Sequence, residues 1–265
     1  MHGKNHSCQA DGSASTYRLA PLRRELKPVR LHWFPCVRST QDHAKQMWLQ
    51  GRIDPPAVVL AGRQSAGRGR GSNRWWSARG CITATCVLKA QPDLPVHFLP
   101  LRIGLAVRDA LADLTQSDAI GVKWPNDIVC QGRKLAGILC ERSSGLDYVG
   151  WGLNVNRESH DLPADLRRRV TFLSTITNQP LNINQVLVSV CQYIHQETER
   201  RDAISRLRRE YDRVHVLRGR RITVVDGKRK GPFQGHCLGI DEQGRLLVKA
   251  GGQTTRLLRG TVTRW

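Results

Sequence analysis

A glycine- and arginine-rich segment is the first part of the chain whose residue types could do chemistry. It covers residues 62–71 and places three arginines among four glycines, shortly before Trp75 and Trp76. Glycine lets backbone amides approach an anion closely, and arginine adds charge-assisted donors, so this composition is typical of a loop that binds phosphate or carboxylate. It is neither a Walker loop, because GxxxxGK[ST] is absent, nor a dinucleotide fingerprint. The segment therefore predicts an anion-binding loop of another type, with an RGG-like nucleic-acid tract as the alternative.

Two lysines form a second group of candidate residues. Lys123 ends one predicted strand and is followed by Pro125-Asn126-Asp127, whereas Lys134 opens a later predicted strand. Lysine is almost always exposed, so either residue alone is most simply a surface charge. On adjacent strands, however, both lysines can point at one anionic centre. Together with the arginine-rich loop they predict a cationic ligand site.

The elements that position these residues follow from hydrophobic periodicity. Apolar and β-branched runs predict strands at residues 29–34, 57–61, 81–88, 120–124 and 148–155, with two more flanking the turn at 131–132. Helical spacing predicts two helices capped by Ser39 and Asn182, and another with apolar positions between residues 103 and 114. This mixture predicts a mixed α/β domain.

The pattern changes near residue 217. Short strands there are separated by glycine-containing turns at 226–227, 241–244 and 251–252, which is typical of a small antiparallel β-barrel. Residues 1–27 are polar and without a sustained period, so they predict a flexible N-terminal arm. We therefore divide the chain into an arm at 1–27, a main α/β domain at 28–216 and a C-terminal β domain at 217–265.

The composition limits the class of protein. The chain has 265 residues with 40% hydrophobic and 24% charged content, which is typical of a globular protein. No segment approaches the roughly 20 apolar residues of a membrane span or the apolar centre of a secretory signal, so we expect a cytoplasmic protein without a membrane partner. The eight cysteines form no CxxC or His-spaced pairs, which argues against a zinc site and a disulfide framework and predicts reduced, mostly buried thiols.

The charge favours anionic partners. Forty-two Lys and Arg against 22 Asp and Glu give +20, and residues 200–230 alone carry twelve Lys and Arg against four acids. Such a segment is most simply a solvated face, and net charge does not distinguish nucleic acid, nucleotides and acidic proteins. A basic nucleic-acid-binding protein is therefore the alternative from another class. No nucleic-acid-binding module supports it, so we expect no specific DNA binding.

Three segments resemble the signature motifs of the biotin protein ligase family and occur in the family's order. They are GRQSAGRGRGSNRWWS at 62–77, KWPNDIVCQGRKLAGILCE at 123–141 and VGWGLNVN at 149–156. Ser39-Thr40 also resembles the early biotin contact of the family, so the resemblance runs from about residue 30 through the C-terminal domain. It implies an α+β fold, in which a mixed-sheet catalytic domain related to the lipoate ligases is followed by a small SH3-like C-terminal β-barrel. A lipoate-type ligase of the same fold is the alternative, but the GRGR and KWPND motifs favour biotin.

The resemblance also implies roles for individual residues. Contacts to biotin are implied for Ser39, Thr40, Gln41, Gln64, Arg68, Gly69, Arg70 and Lys134. Contacts to ATP or the adenylate are implied for Arg68, Arg70, Trp75, Lys123, Asn126, Asp127 and Asn154. Catalytic roles are implied for Lys123, Lys134 and Arg70, and a metal contact for Asp127. The sequence departs from the family pattern in three places, since Gln41 stands where Asn is usual, Ser72-Asn73 replaces Gly-Arg and Ala78 replaces proline.

The activity implied by the resemblance is an ATP-dependent, AMP-forming ligation. Biotin is converted to biotinyl-5'-AMP with release of pyrophosphate and is then transferred to one lysine of a biotin carboxyl carrier protein, as in the biotinylation of acetyl-CoA carboxylase. The expected small-molecule partners are therefore ATP, Mg²⁺ and biotin. A homodimer is compatible with this interpretation, but the sequence leaves the oligomeric state open.

Overall fold

The computed structural model describes residues 16–156, 162–200, 203–227, 229 and 231–265. The larger sheet contains β1 (Arg30–Val37), β2 (Ala57–Gln64), β3 (Cys81–Lys89), β4 (Ile120–Lys123), β5 (Asp127–Cys130), β6 (Arg133–Ser143) and β7 (Leu146–Asn154). The smaller sheet contains β8 (Arg221–Val225), β9 (Phe233–Ile240), β10 (Leu246–Ala250), β11 (Gln253–Leu257) and β12 (Thr261–Arg264). The helices are α1 (Leu19–Glu25), α2 (Thr40–Leu49), α3 (Leu99–Thr115), α4 (Ala164–Arg167), α5 (Leu173–Thr177), α6 (Ile183–Glu199) and α7 (Ala203–Val214), with a 3-10 helix at Val96–Phe98.

The larger sheet is mixed, with the strand order β1-β2-β3-β7-β6-β5-β4. Strands β1 and β2 are parallel, and α2 makes the crossover that parallel neighbours require, whereas the other neighbouring pairs are antiparallel. Strand β7 is buried along its whole length and β3 in all but its last residue. A sheet covered on both faces accounts for the continuous apolar runs in these strands. The predicted α+β fold on a mixed sheet is confirmed.

Helix α2 begins where the sequence predicts. The Ser39 hydroxyl accepts a hydrogen bond from the backbone N–H of Asp42 at 3.3 Å, which satisfies a free amide of the first turn. The helix ends before Gly51, whose φ of +63° favours glycine. Buried Ala44 and Met47 hold one helix face against the sheet. The cap therefore also places the first residues of α2 over one face of the sheet, beside the loop that follows β2.

The predicted arm at 1–27 differs from the structure in its second half. Residues 19–25 form helix α1, which packs against β1 and α6 and buries Leu22 to 1% exposure, with Tyr17 and Leu26 buried on either side. The reason is that Leu19, Leu22 and Leu26 fall on one helical face, a short stripe that the surrounding polar residues obscure. Residues 1–15 of the predicted arm lie outside the described residues. Strand β2 also continues to Gln64, so the first residues of the predicted glycine-rich loop are strand.

The smaller sheet is antiparallel, with the strand order β11-β10-β9-β8-β12, and the fold class with its C-terminal β domain is confirmed. It packs directly on the larger unit. The Trp124 indole donates to the Gly244 carbonyl at 3.2 Å, and the Asp212 carboxylate accepts from the Ile240 amide at 3.2 Å. Apolar side chains from both sheets also belong to one continuous core. The predicted boundary near 216 thus falls within a well-packed junction.

Two further expectations concern cysteines and membranes. Six of the described cysteines form no disulfide, and five of these are buried, but Cys36 is disulfide-bonded, so the expectation of reduced thiols is wrong there. None of the described helices combines the length and the apolar character that crossing a membrane requires.

A buried histidine at the junction makes stability depend on pH. Burial, followed by the charge of Arg218, lowers the pKa of His215 to about 3, and neither ring nitrogen has a hydrogen-bond partner among the described residues. The unfolded chain binds a proton near pH 6.5, so the contribution is complete above that pH and is lost as the pH falls towards 3. We expect a loss of about 1.4 kcal/mol per pH unit below 6.5. Urea unfolding of wild type and His215→Leu at pH 7.5, 6.5 and 5.5 measures it, and equal pH slopes would contradict this prediction.

Candidate active site

One cavity of about 650 Å³ gathers the predicted site residues. It lies between one face of the larger sheet, the loop that follows β2, and the C-terminal strand β12. Its lining includes Ser39, Thr40, Gln41, Gln64, Arg68, Gly69, Arg70, Trp75, Lys123, Asn126, Asp127, Lys134 and Asn154. Every residue to which the motifs assigned a role therefore lines this cavity, although the roles differ in how well the local contacts support them.

The polar end of the cavity is organised by buried hydrogen bonds. The Gln64 amide oxygen accepts from the Thr40 backbone N–H at 2.7 Å and from the Thr40 hydroxyl at 3.1 Å. The Thr85 hydroxyl donates to the Thr40 hydroxyl at 2.8 Å. Thr40 is buried because the Ser39 cap places it in the first turn of α2, against the sheet. This network fixes the Gln64 side chain and leaves its NH₂ group to donate to a ligand.

Three glycines leave the floor of the cavity without side chains. A Cβ atom added at Gly150 would lie 2.1 Å from the Gln41 amide oxygen, and one at Gly152 would lie 2.2 Å from the Trp75 indole ring. At Gly137 an added Cβ would lie 3.4 Å from the same ring. Sequence reasoning assigned these glycines no role. The signal was present, because glycine inside a strand often marks a close approach by a ligand or another group.

The two predicted lysines are not on adjacent strands. Lys123 ends β4 and Lys134 lies on β6, and β5 runs between them because residues 127–130 form a separate strand. The consequence is that Asp127 lies between the two lysines. Its carboxylate oxygen is 2.5 Å from the Lys134 ammonium, and its backbone pairs with Lys123 in the ladder. Both lysines still line the same cavity, with one carboxylate between them.

Lys123 and Arg70 are held by the smaller sheet. The Lys123 ammonium donates to the Val262 carbonyl at 3.1 Å and lies 5.3 Å from the centre of the Trp265 ring. Arg70 donates to the Gly260 carbonyl. Burial lowers the pKa of Lys123 and that of Arg70, and the charge of Asp127 opposes both shifts. The C-terminal domain therefore supplies acceptors for two cations of the cavity, which the sequence did not predict.

Arg68 has a different environment from Arg70, two residues away. Its guanidinium lies 2.5 Å from the Asp42 carboxylate and 2.7 Å from that of Glu141, with 40% of the side chain exposed. Two carboxylates therefore neutralise Arg68 within the protein.

The side-chain amides of the two predicted asparagines donate hydrogen bonds to backbone carbonyls. The Asn126 amide donates to the Ile138 carbonyl at 2.8 Å, and the Asn154 amide donates to the Thr171 carbonyl at 3.1 Å. These contacts hold the turn after β4 and the segment after α4 against the central strands. They support a role for both asparagines in shaping the cavity.

The described residues of the site form no protein cage for a metal ion. Among the described residues, no group of three His, Cys, Asp or Glu side chains lies close enough to bind one. The predicted ligand Asp127 is already paired with Lys134. Mg²⁺ prefers oxygen ligands and is often held by one or two carboxylates together with substrate phosphates. The side chains present therefore do not fit a resident metal.

The cavity can bring anions together. None of its lining residues in the described part of the chain is His or Cys, so neither a thiolate nor an imidazole is placed for covalent or general-base chemistry. Fixed positive charge and backbone amides can instead stabilise developing negative charge. This arrangement is that of an enzyme that joins two anionic groups by positioning and electrostatics.

Comparisons with known proteins agree with this class. The model of the Biotin/lipoate A/B protein ligase family matches residues 33–156. The solved structure "Biotin protein ligase from Aquifex aeolicus in complex with biotin and ATP" is similar with a TM-score of 0.78 and 26% identity, over 89% of this chain and 99% of that one. The Leishmania major ligase solved with biotinyl-5-AMP has a TM-score of 0.58 and 25% identity, over 87% and 98% of the two chains.

Curated relatives narrow the class. The bifunctional ligase/repressor BirA of Bacillus spizizenii is 30% identical over 241 residues, which cover 86% of this chain and 72% of the relative. The biotin--[acetyl-CoA-carboxylase] ligase of Mycobacterium tuberculosis is 31% identical over 212 residues, 77% of each chain. The chain therefore belongs to the biotin protein ligase family, as the motifs predicted.

The contact between Lys123 and Trp265 predicts a role for the C-terminal residue in anion binding. Trp265→Ala removes a cation–π contact worth about 0.5–1 kcal/mol, so binding of inorganic pyrophosphate in the cavity should weaken roughly two- to five-fold. Calorimetry measures the change, with Trp48→Ala, near the end of α2 that does not line the cavity, as a control. In a Lys123→Ala background the Trp265 effect should vanish, and a loss that persists there would show that Trp265 does not act through Lys123.

Proposed function

We propose that this protein is an ATP-dependent biotin protein ligase that forms biotinyl-5'-AMP and transfers biotin to a lysine of an acceptor protein. One observation carries the proposal: three separate motif segments converge on one cavity, and the cations that line it include residues of the loop, β4 and β6. Family membership supports biotin over the lipoate-type alternative. A basic nucleic-acid-binding protein would not need these cations inside a cavity.

In the first step a carboxylate oxygen of biotin attacks the α-phosphorus of ATP and pyrophosphate leaves. Two anions must approach each other, so positive charge must be fixed at the site beforehand. Arg70, Lys123 and Lys134 provide it, since all three line the cavity. Their donors stabilise the charge on the phosphate oxygens and on the leaving pyrophosphate. Lys134 lies above the glycine floor, where the carboxylate and the phosphate would meet.

In the second step the acceptor lysine amine attacks the acyl carbon, and AMP leaves with the bonding electrons. The amine loses its proton to solvent or to the leaving phosphate. No covalent intermediate with the enzyme is required, which fits the absence of His and Cys from the described cavity lining. The acyl-adenylate is open to hydrolysis, so the loop that follows β2 must exclude water until the acceptor arrives.

Mg²⁺ enters this proposal as part of the substrate. The cavity does not fit a resident metal, so the ion would arrive on the ATP phosphates and neutralise the leaving pyrophosphate. We further propose a biotin carboxyl carrier protein as the acceptor and the cytoplasm as the location, and we leave a homodimer open. Duplex DNA should bind weakly and without sequence preference, because basic charge alone contacts only phosphates.

The proposal predicts that the protein makes biotinyl-adenylate without any acceptor. Lys134→Ala should suppress biotin-dependent pyrophosphate release by at least about ten-fold, because a charge-assisted contact contributes about 1.5–3 kcal/mol. Lys249→Ala, at an exposed lysine of β10, is the matched control. Replacing biotin with lipoate in the same assay tests the alternative, a lipoate-type ligase activity. If wild type releases no pyrophosphate with biotin, the proposed function is wrong.

Arg70→Gly should make the enzyme release its intermediate. The change removes a cation from the loop and leaves both lysines, so adenylate synthesis should continue while adenylate dissociates about one to two decades faster. Biotin incorporated into an unrelated lysine-rich protein reports the released adenylate, with synthesis measured in parallel and Arg63→Gly as the control in the same segment. A variant that makes adenylate but labels the bystander no more than wild type does would show that Arg70 does not retain the intermediate.

A further inference from the structure

Glu141 is the centre of a polar cluster at the edge of the cavity. Its carboxylate accepts hydrogen bonds from the Gln41 amide at 2.8 Å, the Lys45 ammonium at 2.7 Å and the Arg68 guanidinium at 2.7 Å. These donors come from α2 and from the loop after β2, whereas Glu141 lies on β6. The motifs assigned Glu141 no role, yet it is the point where these three elements meet.

The formal charges of the cluster balance, with Lys45 and Arg68 against Glu141 and Asp42. Glu141 is 25% exposed, and burial raises its pKa, but the hydrogen bonds from Lys45, Gln41 and Arg68 together with the charge of Lys45 outweigh burial and lower it. Asp42 supplies a second carboxylate to Arg68. An ionised Glu141 thus has donors on both oxygens, and the Arg68 guanidinium is shared between two carboxylates.

Arg68 and Arg70 are therefore used differently although both belong to the GRGR motif. The charge of Arg68 is neutralised by carboxylates of α2 and β6, which ties the loop to the larger sheet. Arg70 instead donates to a backbone carbonyl of the smaller sheet, a dipole that leaves its full charge in the cavity. An arginine held by two carboxylates is suited to fixing a loop, and its charge is not available to stabilise an anion.

Gln41 links the same carboxylate to the cavity floor. Its amide oxygen lies against the backbone of Gly150, where a Cβ would be 2.1 Å away, and its nitrogen donates to Glu141. Gln41 replaces the Asn usual in the family, and the additional methylene lets the amide pass over Gly150 and reach Glu141. In this chain, therefore, the glutamine that replaces the usual Asn has Glu141 as its hydrogen-bond partner.

We propose that Glu141 is a positioning residue. Through Arg68 it fixes the loop that follows β2, and through its hydrogen bond with Gln41 it orients that amide over the glycine floor. The loop and the biotin-binding end of the cavity are therefore in place before ligand binds. The inference rests on the proposed function for its catalytic consequence. The other consequence, that the ion pair of Arg68 with Glu141 of β6 keeps the loop ordered, can be tested without measuring activity.

The first test is hydrogen exchange of the loop at 65–77 in the ligand-free protein. Glu141→Gln removes the charge while keeping the size of the side chain, so loop amides should exchange several times faster than in wild type. Glu242→Gln, which breaks the exposed ion pair with Arg208, is the matched control and should leave the loop unchanged. Asp42→Asn removes the other partner of Arg68 and should give an intermediate rate. Loop exchange in Glu141→Gln equal to wild type would overturn the proposal.

The second test separates positioning from catalysis. With saturating biotin and MgATP, Glu141→Gln should form adenylate in a single turnover at a rate within about two-fold of wild type. Its KM for biotin and its rate of adenylate release should rise about ten-fold, the factor that corresponds to about 1.4 kcal/mol. A variant that loses only the single-turnover rate would show that Glu141 acts in the chemistry and is not a positioning residue.

Double variants show whether the effects run through the named contacts. Arg68→Gln should reproduce the faster loop exchange, and combining it with Glu141→Gln should add little, because both remove the same ion pair. Gln41→Leu should raise the KM for biotin without changing loop exchange. If the increases in loop exchange caused by Arg68→Gln and Glu141→Gln were additive, Glu141 would not fix the loop through Arg68. If the wild-type protein binds neither biotin nor ATP, the proposed function is wrong. The hydrogen-exchange result would still decide whether Glu141 fixes the loop.

Discussion

The whole site depends on holding several positive charges close together before any negative group binds. Two unit charges about 6 Å apart at an effective dielectric constant of about 20 repel by about 3 kcal/mol, so an unassisted cluster would open. The protein meets this cost in two ways. Arg68 and Lys134 are paired with carboxylates, whereas Arg70 and Lys123 donate to backbone carbonyls. A carbonyl stabilises a cation without cancelling its charge, so the second pair keeps the cavity positive.

This division explains why the chain needs both sheets. The carbonyls that hold Arg70 and Lys123 belong to Gly260 and Val262, in the last segment of the smaller sheet. The larger sheet alone would leave these side chains to water, where long flexible cations do not keep one geometry. The contacts from the smaller sheet turn mobile surface charges into fixed ones, which is what electrostatic catalysis requires.

The sequence predicted the parts of the molecule that local patterns determine. The Ser39 cap, the strand runs and the converging motif segments are encoded by neighbours along the chain, and the structure contains them. Contacts between distant positions were not predictable from spacing: Glu141 meets Arg68 across 73 residues, and Lys123 meets Val262 across 139. The strand before the turn at 131–132 was predicted, but the strand order β6-β5-β4, which separates the two lysines, was not. Helix α1 was missed because one short apolar stripe lies in a polar stretch.

The shared wall of the cavity couples ligand occupancy to the association of the two sheets. Any ligand that binds better when β12 lies against β4 must, by reciprocity, strengthen the docking of the smaller sheet by the same factor. Ligand affinity is therefore coupled to the stability of the junction between the sheets, which includes the hydrogen bonds of Trp124 with Gly244 and of Asp212 with Ile240. A substitution far from the cavity that loosens this junction would therefore lower affinity without altering any group that touches the ligand.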